Sequence, residues 1–218
     1  VFRALAEIAL HEGRPSDAVQ IADNGLAQFV DDEQLRFAQA SAYYALEDYQ
    51  QCARVLESLL QCLAGPRFAI SAVSDLRTRS APRMLGAVRR MQGRFAEAET
   101  ALTLVLKRFP DDLVALYNLG LVYLDQQDGG QLAVVIQELL KTKAGHVNGG
   151  TLAALWHLRY GIVARAGELI DQLIAEAPHL PAPRMLRAEW LSRTGAGWGH
   201  QARALKDLLR VQPGNLEA

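Results

Sequence analysis

One pattern recurs in fixed register between Pro82 and Leu140. Leu85-Gly86 returns as Leu119-Gly120, 34 residues on. Gly93, Ala98, Leu102 and Leu106 are answered at the same interval by Gln127, Leu132, Ile136 and Leu140. A period of this length severely restricts the fold. Each unit is too short to bury its own apolar face, so neighbouring units must stack and share one core. Within each unit apolar residues fall three and four apart, Ala, Leu, Glu, Gln and Arg dominate, and alternating runs are absent. That is the pattern of amphipathic helices, and it predicts an all-α chain of about six antiparallel helix pairs.

The repeats divide the chain. Residues 1–60 hold the first two, with turns at His11–Pro15 and Leu46–Tyr49. Pro15 suits a helix start, where a missing N–H is harmless. Leu5, Ala6 and Ala9 are expected on one inner face, and Cys52 takes the place that Ala18 and Ala98 hold in their repeats. Cys52 therefore reads as a small buried residue. About twelve extra residues then interrupt the period, so 61–81 is read as an irregular insertion containing the Gly65-Pro66 breaker. Residues 82–142 hold the third and fourth repeats, and 143–218 hold two degenerate ones. Lys141–Gly150 reads as a polar, Gly-rich joint leading into the latter, where Gly161 stands at the place due for the turn glycine and Pro183-Arg184-Met185-Leu186 copies Pro82-Arg83-Met84-Leu85.

Charge and motifs exclude several functions. The net charge is −1, which gives no overall attraction to nucleic acid. No apolar run approaches the ~18–20 residues needed to span a bilayer. Val1-Phe2-Arg3 lacks a Met and a signal-peptide pattern, and reads as a cut within a longer protein. Two cysteines, Cys52 and Cys62, make no disulfide framework, which favours a reducing, cytoplasmic setting. Five scattered histidines offer no His-x3-His or Cys-x2-Cys pair. Gly195–Gly199 lacks the lysine of a phosphate loop. No catalytic residue, cofactor or metal is nominated. Asp31-Asp32 and Asp111-Asp112 stand at repeat starts, where acids favour helix N-termini.

Gly93-Arg94-Phe95-Ala96-Glu97-Ala98, with Leu85, Gly86, Leu102, Leu106 and Pro110 around it, resembles the tetratricopeptide repeat, and the resemblance extends over nearly the whole chain. It implies a right-handed α-solenoid whose first helices line a concave groove that binds a peptide or a neighbouring domain. A looser likeness goes further. The order of repeats, the insertion and the ending Pro213-Gly214-Asn215-Leu216-Glu217-Ala218 look like the repeat region behind some bacterial family 2 glycosyltransferase domains. On that likeness the chain would be an accessory part placing an acceptor or partner for an attached catalytic domain. The Asp-x-Asp motif of such a domain is absent here.

The resemblance maps Phe37, Tyr44, Arg83, Arg90, Tyr117, Asn118, Leu121, Leu155 and Arg159 onto the groove. Aromatic and arginine side chains are the usual anchors of binding surfaces. Asn118 takes a place where family members hold a peptide backbone. A second candidate is compositional. From Arg67 to Arg94, seven arginines meet one acid, Asp75. Arg67, Arg77, Arg79, Arg89 and Arg94, with Arg83 and Arg90, are expected to form a basic patch for an acidic segment, an attached domain or a phosphate-bearing ligand. Few aromatics are interleaved, which disfavours nucleic acid.

Overall fold

The turns set the architecture. The computed structural model describes residues 1–61 and 75–211. Positive φ occurs at Gly13, Glu47, Gly93, Gln127 and Gly195. At each, the next residue donates its N–H five residues back, as in Arg14 to Ala9, Asp48 to Tyr43, Arg94 to Arg89, Asp128 to Tyr123 and Ala196 to Leu191. The positive-φ residue itself donates three back, as Gly93 does to Arg90 at 2.9 Å. These paired bonds close the last turn of a helix around a left-handed residue. Only glycine takes that conformation freely; Glu47 and Gln127 adopt it at φ 58° and 59° under a steric cost. Gly161 departs from the series. It has no positive φ, and its N–H bonds four back, to His157.

Between the turns the described residues form twelve α-helices and no strand. They are α1 (Phe2–His11), α2 (Pro15–Gln28), α3 (Glu33–Ala45), α4 (Tyr49–Gln61), α5 (Ala81–Met91), α6 (Phe95–Arg108), α7 (Leu113–Asp125), α8 (Gly129–Leu140), α9 (His146–Arg159), α10 (Val163–Glu176), α11 (Ala182–Arg193) and α12 (Trp198–Val211). The chain is an all-α helical-repeat solenoid. Acids cap the starts, since the first N–H groups of a helix have no partner within it. Asp32 accepts from Gln34 and Leu35, Asp48 from Gln51, Asp112 from Ala115 and Asp128 from Gln131.

Leu76–Ser80, inside the segment read as an insertion, is a π-helical turn that runs straight into α5. Ala81 N–H bonds the Leu76 carbonyl, five residues back. Pro82 follows, and a proline ring crowds the carbonyl four residues before it. A wider turn there accommodates it. Gly65-Pro66 and Cys62 lie outside the described residues.

The helices fall into two compact units, 1–122 and 123–218, with the boundary inside α7. In the first, Ala40, Cys52, Ala53, Leu56, Leu59, Ala81 and Val88 form one core cluster, and Ala9, Ala18 and Ala42 another. Small residues let the helices approach closely. A Cβ on Gly86 would stand 2.5 Å from Leu102 Cγ, and one on Gly25 would stand 2.8 Å from Leu35 Cδ1. Ala6 and Ala9 are buried as the pattern requires, whereas Leu5 is 45% exposed. Buried Leu102 and Leu59 contribute on the order of 1.5–3 kcal/mol each by burial.

In the second unit, Leu132, Leu139, Leu152, Leu158, Ile170 and Leu173 make the core. Gly149 and Gly150 are not in a joint; they lie within α9. The reason is packing. Side chains there would meet Leu140 at 3.1 Å and Leu173 at 2.7 Å. Gly167 likewise leaves room for Trp190, whose Nε1 donates to the Val163 carbonyl at 2.8 Å.

Candidate functional site: a groove across three helices

In the first unit, α3, α5 and α7 present side chains to one shallow groove of ≈ 480 Å³. Phe37 and Tyr44 come from α3, Arg83, Met84 and Ala87 from α5, and Val114 and Asn118 from α7. The spacings 37/44, 83/87 and 114/118 each keep a pair on one helix face. Ser80, from the π-helical turn, closes one end. Tyr44 is 39% exposed and Val114 is 50% exposed, so the apolar part of the groove faces solvent. Asn118 Nδ2 donates to the Val114 carbonyl at 3.0 Å. Its Oδ1 has no partner among the described residues and is available to an incoming N–H.

Asp112 holds one edge of this groove. Its side chain is fully buried. Arg79 Nε donates to Oδ2 at 2.5 Å, Arg83 Nη1 donates to Oδ1 at 3.3 Å, and Ala115 N–H donates to Oδ1 at 2.9 Å. Burial by itself would raise the carboxyl, but the Arg79 hydrogen bond, the Ala115 N–H and the charges of both arginines outweigh it and hold the group below the usual carboxylate range. Arg79 also stacks over Phe109, 5.1 Å from the ring centroid. The same device occurs two helix pairs earlier, where Arg3 Nε donates to capping Asp32 at 2.7 Å. In both cases an arginine meets an acid 29 residues on.

The arginines expected to form one patch do not meet in one place. Arg79 and Arg83 face Asp112. Arg89 is buried, paired with Glu57 and, at 3.2 Å, with Glu97. Arg94 also pairs with Glu97, at 2.5 Å. Arg89 and Arg94 line a different groove with Arg54 and Gln92. Helical rotation separates them, since six residues turn a helix well past one full circle. Arg67 and the Arg77 side chain lie outside the described residues.

Of the other groove candidates, Arg90 and Tyr117 are half-buried neighbours. Burial pushes the Tyr117 phenol up, and the Arg90 charge offsets part of that rise. Leu121 is half-buried and does not line the groove. Leu155 is 8% exposed, in the second unit's core with Leu152 and Leu158. It sits inside because α9 is buried on most of its circumference, so register with better repeats misplaces its inner face. Arg159 Nη1 bonds Asp125 at 3.0 Å. Sequence reasoning missed Ser80 and Val114, although each lies one helical turn before a nominated residue. The Cys52 thiol is wholly buried, and burial pushes its pKa up to about 12. No group of three or more His, Cys, Asp or Glu among the described residues is placed to hold a metal. No helix among them is long and apolar enough to cross a membrane.

Residues 84–112, which run from α5 to the Asp112 cap, match the family model described as tetratricopeptide repeat. Over that stretch the chain is similar to a tetratricopeptide repeat. Solved structures agree in fold. A tetratricopeptide repeat protein from Parabacteroides merdae is 15% identical over 96% of this chain and 77% of its own, with a TM-score of 0.64. PilW, described as a widely conserved type IV pilus biogenesis factor, is 14% identical over 99% of this chain and 94% of its own, with a TM-score of 0.70. YrrB, described as a tetratricopeptide-repeat protein with an unusual peptide-binding site, is 15% identical over 85% and 90%, with a TM-score of 0.55. Curated protein sequences give no match. The tetratricopeptide likeness reaches the helical repeats; none of these matches bears on an attached glycosyltransferase domain.

Proposed function

We propose that this chain is a non-catalytic tetratricopeptide-repeat scaffold that binds a peptide segment of another protein in the groove of α3, α5 and α7. The observation that carries the reading is the convergence of Phe37, Tyr44, Arg83 and Asn118, from three successive first helices, on one solvent-facing groove. Phe37, Met84 and Val114 offer an apolar seat. Tyr44 supplies a rigid aromatic edge, and the Asn118 Oδ1 an acceptor for a backbone N–H. Arg83 is tied to Asp112, so it positions the rim more than it attracts charge. The cytoplasmic setting inferred from the cysteines belongs to the same reading. PilW and YrrB, named for pilus biogenesis and peptide binding, lend it support by fold alone.

A peptide library panned on the immobilised chain tests this. Enriched peptides are then measured by fluorescence anisotropy. Phe37→Ala with Tyr44→Ala should weaken them by about 30-fold or more, as loss of central aromatic anchors does. Peptides that bind the double variant as tightly as the wild type would refute the groove.

A further inference from the structure

A second groove, in the second unit, lies outside everything above. It sits among α10, α11 and α12 and holds ≈ 530 Å³. Arg184 and Arg187 reach it from α11, and Arg203 and Arg210 from α12, together with His200. The spacings of three and seven residues put each arginine pair on one helix face. Among the described residues Asp207 is the one carboxylate on its wall.

Among the described residues the charges are incompletely answered. Arg187 pairs with Asp171 at 2.5 Å and Arg210 with Asp207 at 3.1 Å, through carboxylates that are 57% and 47% exposed. Exposed pairs of this kind are weak and open to exchange. Arg184 donates to the Leu180 carbonyl at 3.1 Å and meets no carboxylate among the described residues. Arg203 has no hydrogen-bond or ion-pair partner among them. The repeat explains the deficit at Arg184. Arg3 and Arg83 each find an aspartate 29 residues on, whereas the residue 29 after Arg184 is Pro213. The arginine of the copied Pro-Arg-Met-Leu motif is retained and its acid is missing.

We infer that this groove binds an acidic segment of another protein, whose carboxylates take the arginine forks and whose apolar side chain rests on the groove floor. Arginine presents a planar set of donors that matches a carboxylate in pairs. The floor is apolar, built from half-buried Ile174, Leu191 and Val211. No aromatic among the described residues lines it, so they offer no stacking platform of the kind that single-stranded nucleic acid uses.

The test uses the full chain and a set of short fluorescein-labelled peptides in which Glu or Asp alternates with Leu, read by anisotropy at low salt. Binding should fall with added salt and be absent for the matching Lys–Leu peptides. Arg184→Gln with Arg203→Glu should weaken it by about ten-fold or more, and Arg203→Lys should weaken it less, because charge is kept and the fork is lost. Circular dichroism should show the variants folded, since Arg203 has no partner to abandon among the described residues and Arg184 gives up one bond to the Leu180 carbonyl. The proposal is overturned if no acidic peptide is retained, if the double variant binds as the wild type does, or if a single-stranded oligonucleotide or inorganic phosphate is bound more tightly than every peptide. Loss of peptide binding in Phe37→Ala with Tyr44→Ala would also overturn it, by assigning the peptide to the first unit's groove.

Discussion

Replacing Asp112 separates the two roles the structure gives it. The carboxylate is buried, caps α7 through Ala115 N–H, and holds Arg79 and Arg83. Asparagine keeps the cap, because its side-chain oxygen accepts the same bond about as well. It gives up the charge, so Arg79 and Arg83 lose their counterion. Arg79 is 38% exposed and can rehydrate, which reduces the penalty below that of a fully buried pair. Asp112→Asn should then cost about 1–2 kcal/mol, between the values for exposed and buried pairs. Asp112→Ala should cost about 1 kcal/mol more, for the lost cap. Urea unfolding followed by far-UV circular dichroism measures both. The pH dependence gives a second check. An unfolded aspartate titrates near ~3.9, and the folded carboxyl is held lower. The stabilisation is therefore complete above that value and is lost as pH falls through the folded pKa. The gap between wild type and Asp112→Asn should close in acid. Equal stability of Asp112→Asn and wild type at neutral pH would refute the ion-pair account, and equal stability of the Asn and Ala variants would refute the capping account.

Gly86→Ala should destabilise the chain by about 1–3 kcal/mol, since the new Cβ would stand 2.5 Å from Leu102 and the α5–α6 contact must open. Thermal unfolding reads this, and an unchanged midpoint would contradict the packing. Gly93→Ala meets no neighbour, but its φ of 72° should cost about 1–2 kcal/mol, and Glu47→Gly should move stability the other way by a smaller amount. Cys52 should resist a thiol reagent at neutral pH in the folded chain and react on unfolding, because burial holds the thiol pKa at about 12 and leaves almost no thiolate.

Local periodicity determined a great deal. The 34-residue register placed the turns at Gly13, Glu47, Gly93 and Gln127, because helix closure around a left-handed residue is a property of a few consecutive residues. It also placed Asp32 and Asp112 at helix starts and Cys52 in the core, since capping and small-residue contacts follow position within one repeat. Phe37, Tyr44, Arg83 and Asn118 were legible as residues of one face for the same reason. What the register left open depends on groups far apart in sequence. That seven arginines within 28 residues would divide between Asp112 on one side and Glu57 and Glu97 on another was decided by which acids the folded helices bring near them. Gly161 was expected to turn as Gly93 does, but it lies against His157 with ordinary φ. Leu155 was drawn inward by packing on α9. The groove of Arg184, Arg187, Arg203 and Arg210 assembles residues from two helices joined by a swollen turn, and only tertiary packing sets them facing one another. Periodicity carries information about neighbours along the chain, while charge pairing depends on distance in space, which the folded core alone supplies.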